Sequence, residues 1–186
     1  MRKGVKRMLL AAGAGAAVMG AALGLLIAMP GSAQPRPVVE EPREEARLQA
    51  QLLRHVSAIA GERNYLKREK LEAAAQYIET ELGAMGYRIE RQEVPSKSGP
   101  VRNIAVRLEG AAASPSAQQG LVVIGAHYDS AVETPAANDN GSGVAVLLEL
   151  ARAMREQRAA SGFAGVRLVF FVNEEPPHFK TTMMGS

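Results

Sequence analysis

Cysteine is absent from this 186-residue chain. That excludes disulfides and thiolate metal sites and leaves the redox compartment open. No internal repeat is visible. A basic patch in the folded part, which a nucleic-acid partner requires, is missing as well. The formal charge is +3, and Arg2, Lys3, Lys6 and Arg7 account for more than the whole excess. Charge of either sign is missing from Met8 to Met29, and no Asp or Glu follows Glu175.

The uncharged run has a meaning of its own. A basic cluster, an Ala/Gly/Leu/Met stretch and then Pro30-Gly31-Ser32-Ala33 make an export signal, with Gly31 and Ala33 small enough for the −3 and −1 cleavage positions. The run also approaches the ~20 residues that span a bilayer. Residues 1–33 therefore read as a cleaved signal peptide or an uncleaved membrane anchor. Either way the rest of the chain lies outside the cytoplasm, periplasmic or extracellular. Three prolines and a Glu pair between Gln34 and Pro42 read as a linker, 34–43. Residues 44–186 are then one domain, long enough to bury a core.

From Glu44, Leu48, Leu52, Leu53, Val56 and Ile59 form a helical stripe that Gly61 stops. His55 beside it reads as a surface or core-edge histidine. Leu71, Ala74, Ala75, Ile78, Leu82 and Met85 predict a second helix, closed by Gly86 before an exit strand at Tyr87. Tyr87–Val94 and Asn103–Leu108 read as a hairpin across a Pro/Ser/Gly turn, and Ala111–Gly120 as a surface loop. Leu121–Ala126, apolar throughout, predicts a strand covered on both faces. A helix with Val144, Leu147, Leu148, Ala151 and Met154 on its apolar face follows, capped by Asp139 or Asn140. Arg167–Val172 reads as the next buried strand, and Pro176–Ser186 as loop. Strand, helix, strand makes a parallel βαβ unit, and ligands bind outside the carboxyl ends of such strands.

The polar exceptions sit at that edge. His127 and Asp129 are two apart, so on a continuing strand they share a side, and Asp129 can hydrogen-bond the far nitrogen of His127. Asp139 begins a helix from which it can swing to the same edge. Glu174 and Glu175 point differently on extended backbone, so one can hold a metal while the other acts as general base. Imidazole and carboxylates without thiols suit zinc, and tolerate cobalt or manganese. Each residue also has a plainer reading: a structural histidine, a helix cap, a solvated loop entrance. His178, in the Pro-Pro loop, reads as surface or as a substrate-pocket contact. What sets the group apart is that all of it follows the two most apolar strands.

Three blocks then decide a family likeness. Gly125-Ala126-His127-Tyr128-Asp129-Ser130, Ala137-Asn138-Asp139-Asn140-Gly141-Ser142-Gly143 and Phe171-Val172-Asn173-Glu174-Glu175-Pro176-Pro177 resemble the family-28 zinc metallopeptidases, of the aminopeptidase Y and bacterial leucyl aminopeptidase type. Weaker similarity runs back to about Leu48. The resemblance implies an α/β fold, a three-layer α/β/α sandwich with a mixed, mainly parallel sheet. It also implies a two-zinc exopeptidase acting on the amino termini of peptide substrates. By that likeness His127 binds one zinc, Asp139 bridges both, Glu175 binds the other, Glu174 is the general base and Asp129 orients His127. The family pattern also has a further Asp and a further His downstream, one for each zinc. The chain therefore reads as an amino-terminal fragment, inactive and of low stability by itself. Two alternatives stay open: a non-catalytic binding domain of the same fold, and a glutaminyl cyclase-like acyltransferase. The latter tend toward a single zinc, and the Asn138–Gly141 block fits the peptidases better. Contact with a membrane is expected only through the N-terminal segment.

Overall fold

The structure is a computed structural model that describes Gly20 and residues 42–109, 121–156 and 165–186. The expected signal or anchor, most of the linker and the 111–120 loop lie outside the described residues. Among those described, no helix is long and apolar enough to cross a membrane.

Helix α1 (Pro42–Ile59) begins inside the expected linker. Proline is at home in a first helical turn, where its missing N–H has no intrahelical partner, and Glu44 and Glu45 favour the positive end of the helix dipole. Its apolar stripe is only partly used. Ile59 is buried, but Leu48 and Leu53 are 43% and 64% exposed, and His55 is wholly buried. The expectation of a surface or core-edge histidine is thus overturned, and the physical reason is pairing. His55 Nε2 lies 3.0 Å from Glu149 Oε1, and Nδ1 lies 2.8 Å from the Tyr77 hydroxyl, so both ring nitrogens are satisfied.

Helix α2 (Arg68–Ala84) buries Leu71, Ala74, Ala75, Ile78 and Leu82, the stripe its spacing predicts. It ends as read: Gly86 takes φ 78°, and the Tyr87 amide donates to Leu82 O at 3.1 Å, the six-to-one bond of a glycine-closed C-terminus. Tyr87 does not open the strand. Its ring packs in the core and its hydroxyl donates to Ala151 O at 2.8 Å, while strand β1 spans Glu90–Val94.

Strands β1 and β2 (Val101–Glu109) pair antiparallel, as the hairpin reading requires. β3 (Val122–His127) and β4 (Gly165–Phe171) are joined through helix α3 (Gly143–Glu156) and pair parallel. The sheet order is β1-β2-β4-β3, with β2 antiparallel to β4. This is a mixed sheet with flanking helices, the α/β sandwich expected, although only one of its three described pairings is parallel. Ile104, Val106, Leu168 and Phe170 share the face on which Ile78, Leu82, Val144 and Leu148 pack. Helices α2 and α3 lie on that face, and α1 packs against those two helices.

β3 departs from expectation. Val122, Val123 and Ile124 are 38%, 55% and 37% exposed, because β3 ends the sheet order and has a single strand neighbour. On the side away from the helices, Phe171 lies across Gly125, where a Cβ would run into its ring. Only glycine leaves room there.

Leu82 is fully buried. We expect Leu82→Ala to cost about 3 kcal/mol of stability through lost transfer energy and a residual cavity. Denaturant unfolding would show this as a lower midpoint at unchanged slope.

Candidate metal centre

β3 and β4 run in register with His127 opposite Phe171, so both chains leave the sheet at one edge. The Tyr128 amide extends the pairing by donating to Phe171 O at 2.8 Å. β4 is then turned sharply. The Val172 amide donates to Asn103 Oδ1 at 2.9 Å, and Asn173 adopts φ 61°, a left-handed conformation that asparagine tolerates better than most residues. Its buried side-chain amide donates to Pro95 O at 2.9 Å and Met183 O at 3.0 Å.

The turn changes what the two glutamates can do. Their amides both point at Asp129, with Glu174 N to Oδ1 at 3.1 Å and Glu175 N to Oδ2 at 3.0 Å. The backbone is not extended here, so the side chains do not diverge as adjacent strand residues would. One ligand atom from each of His127, Glu174 and Glu175 lies within 4.8 Å of the others.

Asp129 stands beside the imidazole it was expected to orient. Its Oδ1 lies 3.5 Å from His127 Nδ1, and that buried nitrogen has no hydrogen-bond partner. Each carboxylate oxygen of Asp129 also accepts one glutamate amide, so the same side chain faces both the imidazole and the glutamate turn. The other ring nitrogen faces the acids: Nε2 is 3.0 Å from Asp139 Oδ1 and 3.7 Å from Glu174 Oε2. Asp139 itself is largely open to solvent, with a side chain 78% exposed. It lies in a wide turn, Ala137–Ser142, with a cis peptide to Asn140. Of the two expected helix caps, Asn140 is the one used, its Oδ1 accepting from Gly143 N at 2.9 Å.

His178 is not at the surface. It is 2% exposed, its Nε2 lies 3.3 Å from both Ser96 Oγ and the Lys97 amide, and its ring meets Tyr65 edge-on. Because the His178 amide also donates to Glu175 O at 3.1 Å, this histidine moors the glutamate turn to the β1–β2 connection. Arg63, Asn103 and Asn173 complete the supporting shell. None was singled out from the sequence, although an asparagine immediately before the glutamate pair is a turn signal.

Charge crowding marks the site as built for a cation. Burial alone would lower the pKa of His127, but Asp129, Asp139 and Glu174 outweigh it and hold the imidazole up at about 9. Burial, with the nearby Asp139 and Glu174 charges, raises the carboxyl of Glu175 above its ordinary range. Imidazole and carboxylate donors, a ring nitrogen facing the acids and like charges held together fit a divalent metal of the zinc type.

Comparison with known proteins follows this geometry. Residues 103–186 match Peptidase family M28. The likeness read from the three motif blocks is thereby borne out. YfbL of Escherichia coli K12 is 42% identical over 126 residues, covering 63% of this chain and 36% of YfbL. Among solved structures, a glutaminyl cyclase of Tannerella forsythia superposes with TM-score 0.53 at 26% identity, over 74% of this chain and 52% of that one. A Zn-dependent exopeptidase of Parabacteroides distasonis gives TM-score 0.50 at 25% identity, over 68% and 46%. The chain thus spans about a third of its curated relative and about half of these two structures. Its fold is the one M28 peptidases and glutaminyl cyclases share.

A pH dependence follows for the metal-free protein. The folded pKa of His127 stands above its ordinary 6.5, so its contribution to stability is fully present below about pH 6.5 and is lost as pH rises through about 9. Thermal melts in chelator should show a midpoint falling over that window, and His127→Gln should flatten the fall.

Proposed function

We propose that this chain carries the metal-binding half of an exported, zinc-dependent aminopeptidase site. The observation that carries the reading is the convergence of His127, Glu174 and Glu175 at the ends of adjacent parallel strands, within the segment that matches Peptidase family M28. His127, Glu175 and Asp139 would hold zinc, with Asp139 shared between two ions. When bound, such ions act as Lewis acids that polarise a carbonyl and acidify water.

The remaining roles fall to this chain's own groups. Glu174 accepts the proton of the attacking water, because its carboxylate stands beside the cluster, half-buried and 3.7 Å from His127 Nε2, close enough to reach a donor there and solvated enough to release the proton. Asp129 holds both glutamate amides, and so keeps the base at a set distance from the ligands. Export rests on the basic cluster at Arg2–Arg7 and the uncharged run that follows it.

A glutaminyl cyclase-like acyltransferase is the second reading, favoured by the structural likeness to the Tannerella forsythia enzyme. Asp139 at 3.0 Å from His127 Nε2 supports the peptidase, since a solvent-facing carboxylate beside the first ligand is placed to be shared. The test uses the full chain loaded with zinc and given two substrates, an ordinary tripeptide and one beginning with glutamine. Release of the amino-terminal residue from the ordinary peptide supports the proposal, whereas ammonia release from the glutamine peptide alone overturns it. Glu174→Gln should lower kcat about 10²–10⁴-fold while zinc content stays at the wild-type level. His127→Ala should lose zinc.

A further inference from the structure

Arg63 is neither a ligand nor a base above, yet it is 1% exposed and, among the described residues, the largest of the fully buried side chains. Among the described residues it has no carboxylate partner within ion-pair distance. Its donors go to backbone carbonyls instead. Nε donates to Tyr128 O at 2.7 Å, Nη2 to Ala136 O at 2.9 Å, and Nη1 to Gly61 O at 3.0 Å and Pro135 O at 3.4 Å. Its own backbone pairs with the same loop: Arg63 N donates to Ser130 Oγ at 2.9 Å, and Ser130 N donates back to Arg63 O at 3.0 Å.

The positions of those carbonyls carry the inference. Tyr128 directly follows His127, and Ala136 lies three residues before Asp139, with left-handed backbone at φ 41°. The loop 128–136 leads from His127 toward Asp139, so a tie between its two ends fixes its span. A planar guanidinium with donors in a fixed fork ties them at a fixed separation, which a single ammonium cannot do. We propose that Arg63 is a positioning residue for the metal centre. It clamps both ends of the 128–136 loop and so sets the 3.0 Å approach of Asp139 to His127.

The test has one arm that needs no metal and one that rests on the zinc reading. In the metal-free protein, amide hydrogen exchange in Arg63→Lys should speed up by tenfold or more across residues 128–142, while α2 and β2 stay as protected as in wild type. In the second arm, zinc affinity measured against a competing chelator should fall at least tenfold in Arg63→Lys, but stay near wild type in Leu82→Ala, a core variant that loses stability away from the site. Unchanged exchange, exchange raised evenly along the chain, or equal zinc loss in both variants overturns the proposal. If wild type binds no zinc, the zinc reading falls and the exchange arm still decides the role of Arg63. Should Arg63→Lys not fold, Ser130→Ala removes only the hydroxyl that seats the Arg63 backbone. A rise confined to 128–142 in that variant supports the clamp, and any other pattern overturns it.

Discussion

The carboxylate of Asp129 is the constraint on which the site depends. It stands just past the end of β3, and both its oxygens accept amides from just past the end of β4. Parallel pairing brings the two strand ends to one edge, but it does not say how the chains proceed from there. A carboxylate gripping two successive amides does. It pulls Glu174 and Glu175 back toward His127, and it places a third negative charge behind the imidazole. Hydrogen bonds to an ionised acceptor are among the stronger ones, and here two of them are spent on a turn of two residues. The site is thus held by backbone contacts, while the side chains of His127, Glu174 and Glu175 converge on one another.

Around this grip the rest of the molecule supplies rigidity in two currencies. The helix-facing side of the sheet is a conventional apolar core of Ile104, Val106, Leu168, Phe170 and their helical partners. The polar side of the work is done by buried groups held by directed hydrogen bonds: His55 between Tyr77 and Glu149, Asn173 between Pro95 and Met183, Arg63 across the 128–136 loop. An unsatisfied buried polar group costs ~1–3 kcal/mol, so such residues fix one geometry more sharply than apolar packing does. Two of them lie near the candidate ligands: Asn173 directly precedes Glu174, and Arg63 hydrogen-bonds the carbonyl of Tyr128, which follows His127.

That division explains what could be read from the sequence. Helix α2, the hairpin, the βαβ unit and the edge carrying His127, Asp139, Glu174 and Glu175 were legible, because periodicity and strand-end chemistry are local signals. The exposure of β3 was not, since Leu121–Ala126 looks the same whether a strand lies in the middle of a sheet or at its end. His55 and His178 were misread for a related reason. A lone histidine defaults to the surface unless its partners are known, and Glu149 and Ser96 lie 94 and 82 residues away. The glutamate pair was assigned divergent directions because extended backbone was assumed. The left-handed turn at Asn173 depends on Pro95 and Met183, which no short window contains.

The same reasoning bears on why the acids are tolerated at all. His127, Asp129, Asp139, Glu174 and Glu175 bring four carboxyl groups around one imidazole, and two effects of opposite sign follow: the imidazole holds its proton up to about 9, and Glu175 holds its own more tightly than an open carboxyl would. Each proton is a monovalent stand-in for positive charge that the arrangement favours. A divalent cation placed among these donors would compete with protons for them, so its binding must weaken as pH falls and strengthen as pH rises. The amides on Asp129 matter here as well, because they partly neutralise the one carboxylate that does not face the cluster. The charge left to be met is therefore concentrated on Asp139, Glu174 and Glu175, on the side of the imidazole where a metal would be held.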